Sequence, residues 1–242
     1  MSGHGTRQAA IGALLLLIGC HRLPPTPAAP GREALTDSEA LEVVAQRERD
    51  TQTLTATFKI TFRRPNAAEE SNQGALVVSR PDRLRMQIFS FGVMTAFDYT
   101  VDGDRYRIRR PLEGIDKVGR FGELAPDDPI AAALDLRPLF LAPPVRAARV
   151  RERGDAYVVT AGDGAARREI QVSKRDGRID AETFYQGDRP RIVVAFRDHR
   201  TVDGVTIPFA IHVDYPESGM KLAIAVVRYT RNQAVDPRHF EF

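Results

Sequence analysis

From Leu54 the chain settles into an alternation that only a β-strand can use. Leu54, Ala56, Phe58, Ile60 and Phe62 are interleaved with Thr55, Thr57, Lys59, Thr61 and Arg63. A period of two sends the two sets to opposite faces of a strand, whereas a helix, with its period of about 3.6, would scatter them around its circumference. The pattern returns repeatedly. Leu84, Met86 and Ile88 alternate with Arg83, Arg85 and Gln87, and Phe97, Tyr99 and Val101 alternate with Asp98 and Thr100. Further strands are predicted over residues 74–79, 105–109, 156–161, 167–173, 179–186, 192–198, 207–215 and 220–229. The clearest single faces carry Ile192, Val194 and Phe196, then Phe209, Ile211, Val213 and Tyr215, then Leu222, Ile224 and Val226. Asp102-Gly103, Asp176-Gly177, Gly187-Asp188 and Asp203-Gly204 supply tight turns between neighbours, so an antiparallel meander is expected. With about eleven strands, such a sheet should curl rather than stay flat.

Helices are few. Thr36-Asp37-Ser38-Glu39 has the spacing of a capping box, and predicts a helix to about residue 50 with a thin apolar stripe of Leu41, Val44 and Ala45. Residues 112–125 are glycine-rich and patternless, and read as loop. Asp127-Asp128-Pro129 starts a second helix over residues 130–140, ended by Pro143-Pro144. Leu134, Leu139, Phe140 and Leu141 make this segment strongly apolar, which suits either a plug in the sheet or a movable lid. The expected fold is therefore mainly β: a curled antiparallel sheet or incomplete β-barrel whose concave face is plugged by helices. Two short helices cannot cover so large an apolar face, and the uncovered part is the natural place for a ligand. The candidate hydrophobic cavity is lined by Phe58, Ile60, Phe62, Leu84, Met86, Ile88, Phe97, Tyr99, Ile192, Val194, Phe196, Phe209, Ile211, Leu222 and Ile224.

One hairpin tip breaks the rule. Phe91, Gly92, Val93 and Met94 join two half-buried strands where polar turn residues are the norm. An exposed aromatic there is costly in water and favourable in a bilayer or in a partner's groove. The alternative is that the connection folds back and Phe91 is core.

The N-terminus carries a different signal. Arg7 precedes an apolar run over residues 9–18, too short to span a bilayer but of the right length for a secretion signal. The run ends in Leu17-Ile18-Gly19-Cys20, which resembles the lipobox of bacterial lipoproteins and implies cleavage before Cys20 and lipidation of its thiol. Residues 1–19 are then a signal peptide, and residues 20–35, with Pro24, Pro25, Pro27 and Pro30, a stiff tether from lipid to domain. Residues 36–242 form the folded domain. No Asp follows Cys20 directly, which by the same resemblance favours the outer membrane, with the domain facing the periplasm.

Catalytic patterns are missing. Cys20 is the only cysteine, His199, His212 and His239 have no metal-ligand spacing, and no phosphate-binding loop or nucleophile elbow occurs. His212 falls on a polar strand face. Asp127-Asp128 reads as helix capping. Four arginines between Asp104 and Arg110 form a wet strand face or meet acidic groups. A net charge of +3, from 35 basic and 32 acidic residues, is too slight to argue for nucleic acid. No enzyme, cofactor or metal is expected.

The capped helix, the meander, the apolar central segment and the lipobox together resemble the LolA/LolB superfamily of lipoprotein-localisation proteins over residues 38–242. The strand start Asp82-Arg83-Leu84-Arg85, the tip Phe91-Gly92, the stretch Asp203-Gly204-Val205-Thr206-Ile207-Pro208 and the ending 232–242 with Phe240 carry the likeness. The chain departs from the LolB branch in having no Trp, and in placing Phe91 where that branch has Leu. The resemblance implies a half-barrel that takes lipoprotein acyl chains, a soluble LolA-like carrier as partner, and a monomer that inserts lipoproteins into the outer membrane with Phe91 in contact with lipid. Relatives on the same scaffold shuttle lipids or act as envelope sensors. A structural role in an outer-membrane assembly is the third reading.

Overall fold

The computed structural model describes residues 35–90, 94–124, 137–141, 145, 148–162 and 167–242. Within them the sheet is a single antiparallel layer of thirteen strands in the order β6-β5-β4-β3-β2-β1-β13-β12-β11-β10-β9-β8-β7. The first meander is β1 (Thr53–Arg63), β2 (Glu70–Ser79), β3 (Arg83–Ser90), β4 (Met94–Asp102), β5 (Arg105–Arg110) and β6 (Ile115–Arg120). The second is β7 (Arg149–Arg153), β8 (Ala156–Ala161), β9 (Arg168–Ser173), β10 (Ile179–Gln186), β11 (Arg189–Val202), β12 (Val205–Tyr215) and β13 (Met220–Arg231). They join where β1 pairs with β13, Ile60 opposite Ile224 and Phe62 opposite Leu222. The sheet is curled and unclosed, an incomplete barrel, with β6 and β7 as its free edges.

Two strands exceed the expected eleven, and they are the two edges. The stretch read as a patternless loop holds β6 between the one-turn helices Pro111–Glu113 and Phe121–Glu123. Its inward positions are Ile115, Lys117 and Gly119, so the apolar half of the alternation is hidden. Gly119 lies beneath Tyr106, where an added Cβ would come within 2.6 Å of the phenol oxygen. In β7 only Val150 is apolar among Arg149, Arg151, Glu152 and Arg153. Charge suits an edge strand, because it discourages pairing with other chains, but it also erases the periodic signal. β13 has a further irregularity: between the pairs Thr57–Arg228 and Phe58–Val226 the register shifts by one residue. Val227 is left 73% exposed, while Val226 and Tyr229 pack against the core.

The first helix, α1 (Asp37–Asp50), begins with the expected capping box. The Thr36 backbone N–H donates to Glu39 Oε2 at 2.7 Å, and the Glu39 N–H donates to Thr36 Oγ1 at 3.3 Å. Ala40 and Val44 are buried, and α1 packs against β7 and β8, so it covers the inner face of the second meander. Tyr157 donates its hydroxyl to the Leu35 carbonyl at 2.7 Å, which fixes where the helix starts. Of the predicted second helix, α2 (Arg137–Leu141) is described and packs against β3. The rest of that prediction, with Asp127, Asp128, Leu134, Pro143 and Pro144, lies outside the described residues, as do the predicted signal peptide, Cys20 and its tether.

β4 departs from alternation: Asp98, Tyr99, Thr100 and Val101 are all buried. Tyr99 and Val101 face the core, and the chain's own C-terminus covers the other side. Arg85 grips the Asp98 carboxylate with two hydrogen bonds of 3.0 and 2.8 Å, and its Nη1 donates to the His239 carbonyl at 3.4 Å. Phe240, in the one-turn helix Pro237–Phe240, is buried there. Residues 33–242 are one compact unit.

Candidate functional site

The inner face of the first meander holds a cavity of about 630 Å³ at the end of the sheet where β1, β3 and β5 finish. Its apolar wall is Phe62, Ile88, Ala96, Phe97, Ile108, Ile115, Met220 and Leu222, with Tyr215 beside them. This volume is within the roughly 300–1,000 Å³ of small-molecule sites. Space exists because small groups occupy inward positions. Gly74 sits opposite both Phe58 and Ile88, and the Phe58 ring lies against it so closely that a Cβ would approach ring carbons to 2.4 Å. Asn72, Ser90 and Ala96 continue the low relief. Two ion pairs form the rim: Arg64 with Glu70 at 3.3 Å and Arg110 with Glu113 at 2.9 Å. Leu112 at the same rim is 59% exposed, and Met94, at the start of β4, is 44% exposed. The strand ends Ser90 and Met94 pair with each other and carry the hairpin connection. Its residues Phe91, Gly92 and Val93 lie outside the described residues.

Of the residues predicted to line a cavity, Phe62, Ile88, Phe97 and Leu222 do so. Ile60, Leu84, Met86, Tyr99, Ile192, Val194 and Ile224 are instead buried in closed core, and Phe58 is sealed over Gly74. Phe196 is capped by the Arg47 guanidinium at 5.0 Å from its ring centre. Phe209 meets Tyr229 edge to face at 5.3 Å with Arg200 over its ring, and Ile211 is half-buried opposite Phe196. Ile108 and Tyr215 were visible as members of apolar strand faces. Ile115, Leu112 and Asn72 had no signal, lying in a segment read as loop or at a polar strand start.

The inner face of the second meander is closed by charge as well as by apolar packing. Glu182 faces inward from β10 and is almost fully buried. It receives Arg47 from α1 at 2.7 Å and Arg168 from β9 at 3.0 Å. Arg168 also pairs with Glu48 of α1 at 2.9 Å, and Glu48 accepts the Val145 N–H at 3.0 Å. Burial alone would raise the Glu182 pKa, but Arg168 and Arg47 outweigh it and hold the carboxyl below its ordinary range. Burial likewise opposes the charge on Arg168, yet Glu182 and Glu48 raise its pKa. Nearby, burial pushes the Tyr229 phenol up to about 12.

The outer face offers little chemistry. A second pocket of about 440 Å³ has Ala195 and Ala223 among its lining, with His212 and the Lys221–Asp214 pair beside them. His212 is exposed, as its strand position predicts. Of the arginine run on β5, Arg107 pairs with Asp116 at 2.6 Å and Arg105 lies over the Phe242 ring at 4.7 Å. Among the described residues no group of three His, Cys, Asp or Glu could hold a metal ion, and no helix is long and apolar enough to cross a membrane.

No protein-family model matches the sequence, and no curated protein matches it. Solved structures do. A LolA-superfamily protein from Nitrosomonas europaea superposes with a TM-score of 0.58 at 13% identity, over 86% of this chain and 99% of that one. A DUF1329-family protein from Desulfovibrio piger gives 0.58 at 13% identity, over 85% and 97%. A domain assigned to outer-membrane lipoprotein sorting, from Vibrio parahaemolyticus, gives 0.56 at 12% identity, again over 85% and 97%. The chain shares their fold. At such low identity the likeness carries architecture and not residues.

Proposed function

We propose that this protein is a non-enzymatic lipoprotein of the outer membrane that takes acyl chains of other lipoproteins into the cavity between β1 and β6 and helps insert them into the bilayer. The observation that carries the reading is the position of that cavity: apolar inside, rimmed by ion pairs, and placed at the end of the sheet where β3 and β4 meet in an apolar connection. An acyl chain moving from a carrier into such a cavity, and from there into lipid, passes between apolar hosts. The net free energy at each step is small, and the transfer needs no coupled reaction. Phe91 is assigned the lipid contact on its sequence, and Leu112 is exposed at the cavity rim. Cys20 supplies the anchor, the proline-rich tether sets the reach, and a soluble LolA-like carrier is the donor. The domain faces the periplasm and works as a monomer.

The test uses the full chain carrying Cys20→Ser, so that no anchor competes for its own cavity. It is given a triacylated lipoprotein on a carrier, followed by liposomes. Transfer to the protein and then to liposomes is expected, with Phe91→Glu keeping the first step and losing the second. Capture without release by the unmodified tip would favour a shuttle or sensor, and no capture would favour a scaffold.

A further inference from the structure

Along β2 the inward-facing positions read Glu70, Asn72, Gly74. Glu70 belongs to the rim through its pair with Arg64, and Gly74 is the bare patch under Phe58. Asn72 stands between them, opposite Ile60 on β1, and the β2–β3 register continued one step past Gln73 and Phe89 sets Ser90 beside it. Both side chains line the cavity and both are half-buried. Among the described residues neither side chain makes a hydrogen bond; Asn72 is paired with Ile60 of β1, and the ladder between β2 and β3 begins one residue later at Gln73. A carboxamide has two donors and two acceptor sites, and at this half-buried position, between the charged rim and the apolar wall, they are open to a ligand's polar group. A cavity meant only for hydrocarbon would do better with Leu or Val at this position. The side chains around it, Phe62, Ile88, Phe97 and Leu222, obey that rule.

We infer that Asn72, assisted by Ser90, recognises the ester or amide group that links an acyl chain to its head. The inference rests on the acyl-binding reading above and sharpens it. The ligand class is an acylated amphiphile whose chain lies against Ile88, Phe97 and Ile108. Its carbonyl accepts a hydrogen bond from the Asn72 carboxamide, and its polar head leaves past the Arg64–Glu70 and Arg110–Glu113 pairs. Asn72 is a specificity residue, and its contribution is a preference for linked acyl groups over bare hydrocarbon. Two sources share this chemistry: an N-acylated, diacylglyceryl lipopeptide offers both an amide and esters, and a diacyl phospholipid offers esters alone.

Three probes separate the cases: a tripalmitoylated lipopeptide, dipalmitoyl phosphatidylglycerol and hexadecane, each titrated into the full chain carrying Cys20→Ser. Asn72→Leu should weaken the lipopeptide by roughly five- to tenfold, the size of one net hydrogen bond, and leave hexadecane unchanged or tighter. Ser90→Ala, which cannot unfold a strand end, should act in the same direction by a smaller factor. Selective loss for lipopeptide alone assigns the amide, and equal loss for the phospholipid assigns the ester; either supports the inference. Equal weakening of hexadecane in Asn72→Leu, or no change for any probe in both variants, overturns it while acyl binding stands. Failure of the unsubstituted protein to bind any probe overturns the acyl-binding reading itself.

Discussion

The two meanders present the same kind of surface to the same interior and resolve it differently. On the second meander, α1 packs against β7 and β8 with Ala40 and Val44 buried, and Arg47 and Glu48 lock it to Glu182 and Arg168. On the first, the cover is the short α2 against β3, and toward the strand ends Asn72, Ser90 and Ala96 leave a cavity. The same alternation thus yields a sealed core where a helix is available and a binding surface where inward residues are small. Which half binds is decided by what covers the sheet.

The sharpest way to break this contrast is to unlock the closed half. Arg168→Met leaves Glu182 and Glu48 buried around a missing cation, and should cost about 3–5 kcal/mol, read as a lower midpoint in urea; little change would mean that α1 is held by apolar packing alone. Next in size is the open half. Leu222→Trp should fill the cavity and weaken lipopeptide binding more than tenfold, with unfolding shifted by about 1–3 kcal/mol, whereas the same bulk at fully buried Ile170, with no cavity beside it, should cost more. Gly74→Ala forces the Phe58 ring away from β2 and should cost about 1–3 kcal/mol as overpacking, with reduced binding measured by titration as the ring turns into the cavity.

Acid should act on the closed half first. The Glu182 pKa is depressed in the folded protein, so its stabilisation is fully present above the unfolded value of about 4.3 and is lost as pH falls below that value toward the folded one. Unfolding midpoints between pH 5 and about pH 3 should therefore fall more steeply for the unsubstituted protein than for Glu182→Gln; parallel curves would remove Glu182 from the account. The smallest effect belongs to the rim, where Arg64→Ala breaks an exposed pair and should change stability by less than about 1 kcal/mol.

The period-two signal made the meander legible wherever one face was apolar and the other wet, as in β1 and β12. It failed at β6 and β7, where an edge needs charge, and where Gly119 replaces a side chain so that Tyr106 can lie over it. The capping box placed α1 correctly, but nothing local ties Arg47 and Glu48 to their partners Glu182 and Arg168, which are more than a hundred residues away. For the site, the sequence named the apolar face, and four of its residues, Phe62, Ile88, Phe97 and Leu222, line the cavity. It could not show which part stays open, since that depends on small and polar residues that read as weak strand.

The most direct measurement is photo-crosslinking of a lipopeptide carrying a diazirine at the end of one acyl chain to the full chain with Cys20→Ser, the labelled residues then being mapped by mass spectrometry. Labels are expected on the cavity wall, at Ile88, Phe97, Ile108, Met220 or Leu222. Labels under α1 at Val44, Val159 or Phe196, labels on the outer face beside His212, or no labelling above a dark control would contradict acyl binding in this cavity.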